Sequence, residues 1–83
     1  LQDFSAPDEE AGAEELQRTI LHAIEQLPDD LKQALTLREL EGMSYDEIAL
    51  AMNCPIGTVR SRIFRARDHV VQEISQQFPG TFL

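Results

Sequence analysis

Four arginines fall between positions 60 and 67 of this 83-residue chain, and Arg60, Arg62, Arg65 and Arg67 are interleaved with Ser61 and Phe64. Guanidinium groups fork to phosphate and to guanine, and an aromatic edge packs on a thymine methyl, so this set suits a nucleic-acid duplex. Gly57 and Thr58 lie just ahead of it. In the first turn of a helix, their backbone N–H groups and the positive end of the dipole favour a phosphate. Enzyme chemistry has much less to work with. His22 and His69 are far apart, and Cys54 is the single cysteine. Zinc sites show close ligand pairs, which are missing here, and no internal disulfide can form. Cys54 ahead of a helix invites a redox reading, but cysteine in a turn packs more often as a small hydrophobe. The acid pairs Glu14-Glu15 and Asp29-Asp30 fall in expected first turns, where they act on the helix dipole. With no nucleophile–base pairing and no phosphate-cradling glycine loop, we expect neither an enzyme nor a metal or cofactor.

The elements that must position the arginines read as a helix-turn-helix over 44–67. Ser44 acts as an N-cap, and Glu47 three residues on completes a capping box. Behind the cap, Tyr45, Ile48, Ala49 and Met52 recur at helical spacing. Asn53-Cys54-Pro55 breaks that helix, since Asn tolerates the left-handed conformation and Pro opens the next helix well. The following helix, expected from about Ile56 to Gln76, carries Val59, Ile63, Ala66, Val70 and Ile74 at offsets of four, seven, eleven and fifteen. At about 100° per residue, the side opposite Val59 holds Gly57, Ser61, Phe64, Arg65 and Asp68, with Arg60, Arg62 and Arg67 on the flanks. Phe64 is thus out of register with a stripe that is already complete. The bland alternative is a solvated basic helix with one stray aromatic.

Upstream, Leu16, Ile20, Ala23, Ile24 and Leu27 form an amphipathic stripe ended by Pro28. Pro28-Asp29-Asp30 opens another helix with Leu31, Ala34, Leu35 and Leu37 on its apolar side. Gly42 is expected as its C-terminal cap, and Met43 as a hydrophobic staple ahead of Ser44. Pro7 and the acids behind it can also open a helix, but Gly12 weakens that reading, so the first helix is expected to be firm from Ala13. Residues 1–12 read as the end of a linker, 13–77 as one all-α domain of four helices, and 78–83 as a tail. The chain starts at leucine, so it is expected to be a piece of a longer protein. One small core must serve a chain of this length. No apolar run has the length of a membrane span and no signal-peptide pattern is present, and with the single cysteine this fits a cytoplasmic setting.

Net charge is −8, but it is unevenly spread. Residues 1–52 carry three basic and thirteen acidic side chains, and residues 53–83 carry the four arginines against Asp68 and Glu73. The pattern is a local phosphate-facing patch on a module that otherwise repels DNA, with weak intrinsic affinity.

Taken together, Leu27-Pro28-Asp29-Asp30-Leu31, Leu35-Thr36-Leu37-Arg38-Glu39-Leu40-Glu41-Gly42, Ser44-Tyr45-Asp46-Glu47-Ile48-Ala49 and Cys54-Pro55-Ile56-Gly57-Thr58-Val59-Arg60-Ser61-Arg62-Ile63-Phe64-Arg65-Ala66-Arg67 resemble domain 4 (region 4) of bacterial sigma factors of the extracytoplasmic-function group, in the envelope-stress and alginate-type branch. The resemblance covers about residues 16–70 and implies a helix-turn-helix of the sigma domain 4, winged-helix-like type. It implies recognition of the upstream (minus-thirty-five) promoter element within RNA polymerase holoenzyme. Arg60, Ser61, Phe64 and Arg65 match base- and groove-facing positions, and Arg38, Pro55, Gly57 and Thr58 match positions on the phosphate backbone, where Arg62 and Arg67 are also expected. Grip on the β flap of the polymerase core and masking by an anti-sigma factor are implied as well. Residues 76–83 lack the family pattern. Two other readings stand beside this one. Response-regulator helix-turn-helix domains share the Ser/Glu/Ile/Ala first helix but usually carry Lys-x-His after Thr-Val. A helical module that binds only protein leaves an outward Phe64 and Arg65 without a purpose.

Overall fold

A computed structural model of the chain describes residues 7–80, which form four helices and no strand: α1 (Pro7–Glu25), α2 (Asp29–Glu39), α3 (Tyr45–Met52) and α4 (Ile56–Gln77). The parts of the linker and tail readings on residues 1–6 and 81–83 lie outside the described residues. Helical backbone already begins at Pro7, across positions that composition assigns to a linker. One interior glycine costs about 1 kcal/mol, too little to stop a helix of 19 residues.

The core is built around α4. Val59 and Ile63 are buried with Ile48 of α3 and Ala34 of α2, and Leu37, Met43, Tyr45, Ala49, Met52 and Cys54 close over them. One turn further along, Ala66 is buried with Leu27 and Leu35, flanked by Ile24, Leu31 and Val70. All of the stripe expected on α4 therefore faces inward, Val70 half-buried and the other four buried. On α1, Ala23 is fully buried, while Leu16, Ile20 and Ile24 are half-buried. No helix among the described residues is long and apolar enough to cross a membrane.

Both inter-helix prolines sit one place ahead of their helices. Pro28 and Pro55 hold extended ψ near 152° as N-cap residues, and their carbonyls accept the first helical hydrogen bonds. α2 stops at Glu39, three residues before the glycine expected to cap it. The N–H groups of Leu40 and Glu41 both return to the Thr36 carbonyl, and Gly42 at φ +70° then turns the chain so that Met43 N–H reaches Leu37 O. Left-handed backbone is what Gly supplies there.

Candidate nucleic-acid interface

The geometry of α3 and α4 is locked by local chemistry at three points. Ser44 Oγ accepts the Glu47 N–H at 3.1 Å, and Glu47 Oε1 accepts the Ser44 N–H at 2.7 Å, which completes the capping box. At the other end of α3, Asn53 adopts φ 54° and ψ 52°. Its N–H bonds to Leu50 O while Cys54 N–H bonds to Ala49 O, the paired bonds of a Schellman ending. Only Asn53, Cys54 and Pro55 separate the two helices, so the turn leaves them little freedom. α4 differs from α3 at its start, because Pro55 offers no side-chain cap. The N–H groups of Thr58 and Val59 return to Pro55 O, and those of Ile56 and Gly57 are open to an external acceptor.

From that open end, α4 presents the face expected of it. Phe64 is 71% exposed, and Gly57, Ser61, Arg65 and Asp68 are exposed beside it. Pro55, Gly57, Thr58, Ser61, Arg62 and Arg65 share a shallow concavity of about 490 Å³, to which Asp30 of α2 also contributes. Arg65 carries no ion pair or hydrogen bond among the described residues. An added Cβ at Gly57 meets nothing within 4 Å, so the fold does not require glycine there.

The remaining arginines are already engaged to different degrees. Arg60 is exposed, with its guanidinium carbon 6.0 Å from the Tyr45 ring centroid. Arg38 is half-buried, lies 4.9 Å over the same ring and donates from Nη1 to Met43 O at 2.9 Å. It therefore ties α2 to the turn before α3. Arg62 packs between Asp30 and Cys54. Arg67 departs from expectation: its Nε donates to Glu39 Oε2 at 3.0 Å and its Nη2 bonds the same oxygen, joining α4 to the end of α2. That bond, more than any other factor, raises its pKa above the ordinary arginine value. Arg67 is thus directed at a carboxylate of its own domain.

Two contributors escape sequence reasoning. Tyr45 reads as part of the apolar stripe of α3, yet its ring is a platform for Arg38 and Arg60. Aromatic faces attract guanidinium groups, but nothing in the spacing of positions 38, 45 and 60 announces the cluster. Asp30 reads only as a first-turn acid. No group of three His, Cys, Asp or Glu that could hold a metal occurs among the described residues.

A second surface lies between α1, α2 and α4. Ile20, Leu21, Ile24, Leu40, Val70 and Val71 line an apolar groove of about 470 Å³, with Glu39 and Arg67 at its edge. Leu21 is 54% exposed and Leu40 74% exposed, so the groove is open to solvent.

A four-helix domain with a tightly linked helix-turn-helix and an outward basic, aromatic face on its last helix belongs to the helix-turn-helix class. Within that class, the chain belongs to the family described as Sigma-70, region 4, which it matches over residues 17–70. It is 54% identical over 74 residues to the ECF RNA polymerase sigma-E factor of Haemophilus influenzae, an alignment that covers 89% of this chain and 39% of that protein. The sigma-E factors of Escherichia coli K12 and Salmonella typhimurium LT2 are each 51% identical over 74 residues, with the same coverage. The chain thus spans 39% of the length of these curated relatives.

Proposed function

We propose that this chain recognises the upstream, minus-thirty-five promoter element in transcription initiation, as the promoter-reading end of a sigma factor within RNA polymerase holoenzyme in the cytoplasm, and that it has no enzymatic activity. The observation that carries the reading is the outward Phe64 and Arg65 on α4, next to a helix start that its own sequence leaves uncapped. Arg60, Ser61, Phe64 and Arg65 meet base edges in the major groove. Pro55, Gly57 and Thr58 bring backbone to the phosphates, with Arg62 and Arg38 as charged neighbours. Arg67 is left out of this set because Glu39 holds it. A module that binds only protein is disfavoured by the same Phe64 and Arg65 pair, and a response-regulator domain by the family match.

The apolar groove between α1, α2 and α4 supplies the second half of the function. An amphipathic helix in an apolar groove is a recurrent mode of recognition, and the β flap of the polymerase core is its proposed occupant. An anti-sigma factor that covers the groove or the α4 face silences the domain. The test is promoter footprinting and transcription with the longer factor and core polymerase. Phe64→Ala and Arg65→Ala are expected to abolish protection upstream while leaving polymerase association intact, and Leu40→Asp to weaken polymerase association, with upstream protection falling as a consequence. Full promoter activity in the Phe64→Ala, Arg65→Ala double variant overturns the reading.

A further inference from the structure

The concave face at the start of α4 contains an acid that a DNA surface has no use for. Asp30 projects from the first turn of α2 into the concavity formed by Gly57, Thr58, Ser61 and Arg65, and it is the one carboxylate among the described residues lining it. Its Oδ1 accepts the Leu31 N–H at 2.9 Å, and its Oδ2 stands 3.6 Å from Arg62 Nε. On its other side, Arg62 Nη1 reaches Cys54 Sγ at 3.7 Å. The Arg62 side chain is 23% exposed and that of Asp30 54% exposed. The carboxylate is thus the more exposed partner of the pair, and it lines the same concavity that a phosphate bound to Arg62 would enter. Arg65, on the same face, has no such partner.

We propose that Asp30 sets the affinity of this surface: it occupies Arg62 in place of a phosphate, so that DNA must displace a carboxylate before it gains the arginine. The inference rests on the DNA-binding reading above. A long, solvent-facing ion pair is weakly held, and a duplex phosphate fixed by neighbouring contacts replaces it. The exchange cancels most of what Arg62 contributes to binding and keeps the domain from settling on arbitrary DNA. Phosphate contacts are blind to sequence, so the effect applies equally to any duplex.

The test is fluorescence anisotropy of the 83-residue chain on a labelled 25-base-pair duplex of arbitrary sequence, in KCl from 25 to 200 mM. Asp30→Asn is expected to bind roughly two- to fivefold tighter, the fold-change equivalent of an exposed ion pair. Its dependence of log K on log salt should steepen by up to about 0.9, because no displaced carboxylate then offsets the charge that Arg62 brings to a phosphate. Asp29→Asn makes the same charge change in the same helical turn but does not line the concavity, and it should leave the slope unaltered. With Arg62→Ala in the background, Asp30→Asn should no longer steepen the slope. Equal behaviour of Asp29→Asn and Asp30→Asn reduces the effect to bulk charge and overturns the proposal. Weaker binding by Asp30→Asn also overturns it, because Asp30 then positions Arg62. An Arg65→Ala variant measured alongside at about 25 mM KCl, where a lost charge lowers affinity for any duplex, separates the two levels: if its loss of affinity appears and the Asp30 effect does not, only this inference fails. If Arg65→Ala changes nothing, the DNA-binding reading falls with it.

Discussion

Replacing Arg65 by alanine isolates base reading from folding. Arg65 is exposed on the middle of α4 and has no ion pair or hydrogen bond among the described residues. The domain therefore loses nothing by its removal, and alanine favours a helix at least as well. Unfolding free energy should move by less than about 0.5 kcal/mol, as for other surface substitutions away from special features. A bidentate arginine–guanine pair is worth about 1–3 kcal/mol of discrimination. With tenfold per 1.4 kcal/mol, the variant should lose roughly 5- to 150-fold in affinity for the matched promoter element. On a scrambled duplex only a charge is lost, and the deficit should be a few-fold and vanish as salt rises. The assay is competition anisotropy with matched and scrambled duplexes at two salt concentrations, with urea unfolding of both proteins in parallel. Equal loss on the two duplexes would refute a base-reading role and move Arg65 to the phosphate set. A lowered urea midpoint would trace the deficit to the fold.

Gly57→Ala should stabilise the domain by about 0.4–1 kcal/mol, because the helical backbone accepts the Cβ without a clash. It should nevertheless weaken binding to every duplex by keeping the backbone away from a phosphate; unaltered affinity in the same titration removes Gly57 from the interface. Ser44→Ala breaks the capping box and should cost about 1 kcal/mol by urea denaturation, so a change below 0.3 kcal/mol counts against the cap. Arg67→Ala should cost about 0.2–1 kcal/mol of stability, the range for a half-exposed pair, and leave affinity for any duplex within about twofold. Arg67 has a raised pKa in the folded state, so the pair's contribution is complete below the ordinary arginine value and is lost only as pH climbs through the higher folded value. The stability difference between wild type and Arg67→Ala should hence stay flat between pH 7 and 10, and a slope there contradicts the assignment.

What the sequence makes legible is whatever local periodicity and capping control. The stripe on α4, the Ser44–Glu47 box and the left-handed Asn53 all follow from residues a few positions apart, and the outward Phe64 follows from the same count. Which arginines are free is a different kind of fact. Arg62 and Arg67 meet Asp30 and Glu39, and those partners arrive from α2 through the crossing of two helices. Spacing within α4 sets Arg65 outward and Arg67 on a flank, but it does not reveal that Glu39 of α2 meets Arg67 there. The Tyr45 platform and the apolar groove are hidden for the same reason. Leu21, Leu40 and Val71 lie outside every expected stripe, and they become a surface only when three helices converge. The early start of α1 reflects a different limit, since a single glycine weighs less in 19 helical residues than its reputation as a breaker suggests.

The concavity at Gly57 and the groove at Val71 are carried by one uninterrupted helix. At 1.5 Å per residue, the fourteen steps between those two positions amount to about 21 Å of stiff rod. Anchoring one end on a large machine thereby sets where the other end can touch a strand, and lengthening α4 by one residue both shifts that distance and rotates the two ends by about 100° relative to each other. On the proposed reading such a protein measures as well as reads: the interval between the two engagements is written into a single span of hydrogen-bonded backbone.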